Sequence, residues 1–402
     1  MDGRQERGMQ IAATKKIKLT RVGYIVPSQT GRGSYVVNVD NNQPFCTCPD
    51  FEERQERCKH IWAVEYSTKR EQNPDGSVTE THTVKVTYGQ DWANYNAAQL
   101  NEQHWFGTLL KALCAGIQTP QRVGRGRQPF PLSDAVFAIV AKTYSMRSGR
   151  RFVNELHEAR DKALVDKAAS FTTLFRYLEK PEVTPLLKAL IEEAATPLKG
   201  LETSFSVDST GFGTSTYAHW FDHKYGKNRK EQTWIKAHLM VGVSTNVVTS
   251  VEVTDGFAND SPYLPGLLGR TAERFNVVEV SADKGYISAK NLAAITTMGA
   301  TPYIPFKENA TGEGPELWRR LWAYYTFKRP EFLAHYHKRS NIESTNAMIK
   351  RKFGASVAAR TTVAQQNEVL AKILCHNICV LISSMYELGV EPIFGTKEVG
   401  VP

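Results

Sequence analysis

The sequence predicts an α/β domain in its C-terminal half, built on a mixed sheet flanked by helices. Three observations predict the whole arrangement. Short runs of β-branched residues alternate with helical stretches beyond residue 200, helical periodicity dominates the region before it, and three cysteines cluster with a histidine near the N-terminus. We therefore expect a zinc-binding module at 1–90, an all-α region at 91–200, the α/β domain at 201–390 and a tail at 391–402.

The composition is that of a globular protein with a basic surplus. The chain has 402 residues, of which 41% are hydrophobic and 23% charged, enough for a sizeable core in two or three domains. Its 50 Lys and Arg against 41 Asp and Glu give a net charge of +9, which favours a polyanionic partner. No apolar run approaches the ~18 residues of a membrane span, and no apolar signal region is evident. These features predict a cytoplasmic protein with reduced cysteines.

The first module is predicted from the spacing of its cysteines. Cys46-Thr-Cys48 is followed, after a gap of nine residues, by Cys58-Lys-His60. Three thiols and one imidazole are a complete tetrahedral set for one structural Zn²⁺, and so small a module would unfold without the ion. The alternatives are four unrelated residues, or a disulfide between Cys58 and one of the other two cysteines, which a reducing cytosol disfavours.

The same pattern, together with the preceding strand Tyr35-Val-Val-Asn-Val, resembles the SWIM zinc finger over about residues 20–66. The resemblance implies a module that binds nucleic acid or protein. It does not decide between these two partners.

Residues 91–200 show helical patterns joined by basic segments. The segment from Pro120 to Pro129 contains Arg125-Gly-Arg127 and resembles an AT-hook, an arm whose arginines enter an A·T minor groove. A plain charged linker is the alternative. Three short helices follow, and the last carries Arg176 as the recognition helix of a helix-turn-helix would. An ordinary helical connector is the alternative for these helices.

Beyond residue 200 the order is strand, strand, strand, helix, strand, helix, strand, which is the order of the RNase H-like fold. In that fold the first and fourth strands are neighbours, so residues at their ends meet. Asp208 and Asp283 each directly end one of these buried strands. Three other aspartates in turns or at a helix cap are rival candidates: Asp222, Asp255 and Asp260.

A third acidic residue comes from a later segment. On a helix that turns about 100° per residue, four of its residues fall within a wedge of roughly 60°. They are Tyr336, Arg339, Glu343 and Lys350. The alternative is a capping box, in which Glu343 caps the first turn of a helix that starts at Ser340.

The spacing Tyr-(2)-Arg-(3)-Glu-(6)-Lys resembles the signature of insertion-sequence transposases with a DDE catalytic domain. The motifs Val207-Asp-Ser-Thr-Gly and Ala282-Asp-Lys-Gly-Tyr resemble the aspartate motifs of the same family, so the resemblance covers residues 203 to about 385. It implies a catalytic trio of Asp208, Asp283 and Glu343. It also implies a prokaryotic, nucleoid-associated enzyme acting on double-stranded DNA, at transposon ends and target, as a homodimer or higher homo-oligomer.

The ligand chemistry of this trio is specific. Carboxylates without histidine or thiolate select hard cations, so we expect Mg²⁺ or Mn²⁺. Two ions about 4 Å apart would activate water at the transposon end and stabilise the leaving 3′-oxygen. Arg339 and Lys350 would hold phosphates, Tyr336 would stack on or bond to the end nucleotide, and Arg351 and Lys352 would extend this basic strip. A stand-alone metal-dependent nuclease and a non-catalytic DNA-binding protein are the alternatives.

Overall fold

A computed structural model of the chain shows two compact units, Met1–Gln90 and Asp91–Pro402. The structure describes residues 3–15, 17–20, 23–29, 33–39, 44–72, 78–82, 91–126, 128–214 and 234–395. Arg127, predicted to bind DNA, and the rival candidate Asp222 lie outside these described residues.

The first unit is built on a four-stranded antiparallel sheet. Its strands, in sheet order, are β1 (Lys18–Thr20), β2 (Gly23–Pro27), β3 (Ser34–Asn38) and β4 (Phe45–Cys46). Its helices are α1 (Gly3–Thr14), α2 (Pro49–Arg54) and α3 (Lys59–Ser67), and the hairpin β5 (Thr68–Gln72) and β6 (Val78–His82) follows. Helix α1 packs closely on α3, since a Cβ atom at Gly8 would lie 2.6 Å from the Cβ of Trp62. The resulting core is small, as the sequence predicts.

The second unit begins with helices. They are α4 (Trp92–Cys114), α5 (Leu132–Ser145), α6 (Gly149–Asp161), α7 (Phe171–Leu178) and α8 (Val183–Ala195). Ser170 caps α7 by accepting a hydrogen bond from the backbone N–H of Thr173, as its residue type favours. The helices and the sheet that follows them share one hydrophobic core.

A five-stranded mixed sheet forms the centre of the second unit. Its strands are β7 (Ser204–Gly213), β8 (Trp234–Gly242), β9 (Val248–Asp255), β10 (Glu279–Ala282) and β11 (Thr301–Tyr303), in the order β11-β10-β7-β8-β9. β10 is parallel to both β7 and β11, whereas β8 is antiparallel to both of its neighbours. The predicted mixed sheet flanked by helices is confirmed.

The remaining helices connect and cover this sheet. They are α9 (Leu264–Ala272), α10 (Ala289–Thr297), α11 (Glu316–Phe327), α12 (Arg329–Tyr336), α13 (Ser340–Phe353) and α14 (Thr362–Leu388). A 3-10 turn, His337–Arg339, joins α12 to α13, and both Tyr336 and Arg339 keep right-handed helical backbone angles. The chain therefore stays close to helical through the segment that contains the predicted four-residue wedge.

Helix α14 is long and apolar enough to cross a membrane by length and composition, but 78% of its apolar window is buried inside the protein. It packs against α8, α4 and α5. Its Asn377 side chain accepts a hydrogen bond from the backbone N–H of Val248 and donates to the carbonyl of Ile191. These contacts identify α14 as a core helix.

Candidate active site and zinc cluster

The four predicted zinc ligands meet in the first unit. The donor atoms of Cys46, Cys48, Cys58 and His60 all lie within 4.8 Å of one another, and all four residues are buried. The Nδ1 atom of His60 is 3.9 Å from the sulfur of Cys46 and from that of Cys58. All three cysteines are free, so the disulfide alternative is not formed.

Local structure explains how these ligands converge. Cys46 ends β4, Cys48 precedes α2, and Cys58 lies just before α3, whose second residue is His60. Hydrogen bonds from Cys46, from His60 and from a backbone N–H at the start of α3 lower the pKa of Cys58 to about 4. Three thiols and an imidazole at this separation fit a structural zinc ion.

The two predicted aspartates are neighbours on the central sheet. Asp283 directly follows β10, as predicted, whereas Asp208 lies in the middle of β7, so the prediction that it ends its strand is wrong. Because Ala282 is paired in register with Val207, the two aspartates are the next residues along adjacent parallel strands. Burial raises the pKa of Asp208, and the charge of Asp283 contributes in the same direction, while a hydrogen bond from the Ser209 N–H opposes it.

Arg339 joins this pair to the third acidic residue. Its Nη2 atom lies 3.4 Å from Oδ2 of Asp208, and its Nη1 atom lies 2.8 Å from Oε1 of Glu343. Helix α13 has no side-chain cap at its start, and the Glu343 carboxylate is directed to Arg339. The capping-box alternative is therefore wrong. Asp208, Asp283 and Glu343 approach one site from three separate elements.

Two models of known families match the chain, one over the region of each site. Residues 199–378 match the family model described as a transposase DDE domain, and residues 35–69 match that of the SWIM zinc finger. The chain combines a transposase DDE domain with a SWIM zinc finger. The acidic trio lies inside the first match, and the four zinc ligands lie inside the second.

Two further residues of the predicted wedge lie in the DDE domain as half-buried side chains. Burial raises the pKa of the Tyr336 hydroxyl, and the nearby charge of Arg339 opposes this shift. The Lys350 ammonium lies 5.7 Å from the centre of the Phe212 ring, and burial lowers its pKa. Within the part of the chain that the structure describes, Lys350 has no acidic partner.

Lys352 differs from its neighbours in the DDE domain. Its Nζ atom is 2.5 Å from Oε2 of Glu102 on α4 and 3.3 Å from the sulfur of Cys379 on α14. The other oxygen of Glu102 accepts a hydrogen bond from the Tyr144 hydroxyl at 2.8 Å. The charge of Lys352 is thus paired with a carboxylate of α4, although both Lys352 and Arg351 are exposed. The role of Lys352 in the basic strip stays a prediction.

The other predicted DNA contacts lie apart from the acidic trio along the chain. Arg125 is exposed in the non-helical segment between α4 and α5, and Arg176 is exposed on α7. Of the rival aspartates, Asp255 accepts a hydrogen bond from the Phe257 N–H in an exposed turn.

Asp260, the remaining rival, is paired with Lys236, a contact that sequence reasoning missed. The sequence contains one signal for this contact: Lys236 and His238 are polar residues at alternate positions of an otherwise apolar strand.

Proposed function

We propose that the protein is the transposase of an insertion sequence, which binds terminal inverted repeats and then cuts and joins DNA strands. The observation that carries the proposal is the approach of Asp208, Asp283 and Glu343 to one site within a transposase DDE domain. The sheet order and the parallel pairing of β7 with β10 support an RNase H-like fold for this domain.

The donor set of the trio suits Mg²⁺ or Mn²⁺, because it consists of carboxylates alone. Two such ions, when bound, would supply an activated water and stabilise the leaving 3′-oxygen, and the freed 3′-hydroxyl would then attack target DNA. Arg339 offsets part of the negative charge that Asp208 and Glu343 bring together and orients both carboxylates. Zn²⁺ would serve the SWIM module as a structural ion.

The DNA phosphates would be held by cations next to the trio. Lys350 supports this role, because a half-buried ammonium that has no carboxylate partner among the described residues gains most from binding a phosphate. Exposed Arg351 would extend the contact, and Tyr336 would bond to or stack on the end nucleotide. Because Glu102 pairs with Lys352, we leave Lys352 out of the DNA contact.

The helical region 91–200 would recognise the terminal repeat. Arg176 on the exposed side of α7 would read the major groove, and Arg125 and Arg127 would enter an adjacent minor groove. The enzyme would act in the prokaryotic cytoplasm at the nucleoid. It would assemble as a homodimer or higher homo-oligomer, since two transposon ends are handled together.

A labelled duplex ending in the element's terminal repeat tests this function. The repeat sequence can be read from the DNA that flanks the gene. We expect Mg²⁺-dependent cleavage at the repeat end and covalent transfer of the labelled 3′-end into a second duplex. Hydrolysis without transfer would indicate a stand-alone nuclease, and binding without cleavage would indicate a non-catalytic DNA-binding protein.

A further inference from the structure

Asp260 occupies a helix-capping position without capping the helix. It precedes the 3-10 turn Ser261–Tyr263 that leads into α9, where an aspartate commonly accepts a hydrogen bond from a backbone N–H. No such side-chain bond is formed. Instead its Oδ1 atom lies 3.1 Å from Nζ of Lys236 and 3.4 Å from Nδ1 of His238. The carboxylate is therefore directed at strand β8.

The ion pair with Lys236 and the packing of His238 hold this turn against the sheet. Lys236 also donates a hydrogen bond to the carbonyl of Ala258, at 2.9 Å. His238 is fully buried, stacks on the Tyr263 ring at 4.3 Å, and places Nε2 2.9 Å from the hydroxyl of Thr254. Removing one member of a partly buried ion pair such as Asp260–Lys236 leaves the other charge without compensation, so such a pair holds its geometry strongly.

A single amide connects this turn to the turn that carries Asp283. The buried Asn291 side chain donates from Nδ2 to the carbonyl of Ser261 at 3.1 Å and to the carbonyl of Tyr286 at 2.8 Å. The backbone N–H of Tyr286 in turn donates to the carbonyl of Asp283 at 2.9 Å, and its side chain is buried. Three hydrogen bonds thus link the Asp260 turn, through Asn291 and Tyr286, to the backbone of Asp283.

We propose that Asp260, held by Lys236, is a positioning residue that sets Asp283 beside Asp208 for divalent-metal binding. The inference rests on the proposed function of the trio and adds a residue to it. Residues that orient metal ligands from outside typically change metal affinity about 10- to 100-fold when replaced. Asp260 acts through Asn291 and Tyr286 and touches neither metal nor DNA.

The test measures Mn²⁺ binding to the full chain in the absence of DNA, by calorimetry or electron paramagnetic resonance. Asp260→Asn should weaken Mn²⁺ binding about 10-fold or more. It should also raise the Mg²⁺ concentration needed for half-maximal cleavage, which a simple loss of folded protein would not do. The matched control is Asp255→Asn at the end of β9, which should leave both quantities unchanged because the Asp255 side chain accepts its hydrogen bond from the Phe257 N–H in an exposed turn.

A second variant keeps the test decisive if Asp260→Asn fails to fold. Asn291→Ala breaks the connection between the two turns without changing any charge, and it should weaken Mn²⁺ binding in the same way. Unchanged Mn²⁺ affinity in a folded variant of either kind would overturn the inference. Because the readout is metal binding, a protein that binds Mn²⁺ but does not transfer strands would instead contradict the proposed function.

Discussion

The zinc cluster and the acidic trio differ in how far apart their ligands lie along the chain and in how exposed they are to solvent. The zinc donors come from one short stretch of chain, are buried, and lie within 4.8 Å of one another. The acidic residues come from β7, the end of β10 and α13, and the Glu343 side chain is 62% exposed. Structural zinc sites are closed, and catalytic sites keep positions open for water and substrate. The difference agrees with the proposal of a metal for folding in one unit and metals for chemistry in the other.

The largest expected effect comes from breaking the zinc cluster. Cys58→Ser removes a thiolate ligand, and zinc binding supplies on the order of 10 kcal/mol to the folding of such modules. We expect loss of bound zinc and rapid proteolysis within residues 1–90, while the fragment 91–402 remains protected. Metal analysis and limited proteolysis of the full chain measure both.

The matched control is Cys114→Ser, because Cys114 is also buried but lies on α4, in the other unit. It should keep its zinc. A Cys58→Ser protein that retains stoichiometric zinc would contradict the assignment of the cluster.

The next prediction concerns the acidic trio and uses the substitution Glu343→Gln. The substitution keeps the shape of the side chain but weakens one predicted metal ligand, so strand cleavage should fall by about 100-fold or more. Terminal-repeat binding and zinc content should stay unchanged, since the phosphate contacts and the first unit are intact. The control Glu331→Gln alters an exposed ion pair on α12 and should cleave normally. Cleavage at the unmodified rate by Glu343→Gln would remove it from the trio.

A smaller effect, on the free energy of unfolding, should distinguish two adjacent cations of α13, Arg351 and Lys352. Lys352→Met leaves the Glu102 carboxylate, whose side chain is 11% exposed, without its cation. The free energy of unfolding of the second unit should then fall by about 1–3 kcal/mol. Arg351→Met should change that free energy by less than about 0.5 kcal/mol.

DNA binding should show the reverse pattern in these two variants. Arg351→Met should reduce the magnitude of the slope of log affinity against log salt concentration by about 1. Lys352→Met should leave this slope unchanged. Denaturant unfolding and binding across a salt series measure the two effects. Equal salt slopes for both variants would contradict the separation of the two residues.

The features predictable from the sequence depend on local or regular patterns. The zinc cluster follows from two closely spaced ligand pairs on one stretch of chain. The meeting of Asp208 and Asp283 follows from the parallel pairing of β7 with β10, although Asp208 lies within its strand and not at the predicted end. Alternation of apolar residues was enough to predict the strands of the mixed sheet.

Contacts between distant residues were not predictable in this way. Lys352 follows Lys350 and Arg351 in a continuous basic run, and only the fold reveals that Glu102 of α4 pairs with it. Asp260 stands in a helix-cap context, whereas its actual partners lie on β8. Helix α1 lies in a polar leader, and its packing on α3 depends on the close approach at Gly8. In each case a specific tertiary contact decides what the local pattern leaves open.

One measurement tests the separation of the two metal centres most directly. The purified chain is exposed briefly to a chelator, separated by gel filtration, and then assayed for zinc content and for cleavage of a terminal-repeat duplex. We predict that it retains one zinc per chain, does not cleave, and regains cleavage on addition of Mg²⁺ or Mn²⁺ with no change in zinc. Cleavage without added Mg²⁺ or Mn²⁺, or a chain that never held zinc, would contradict the account.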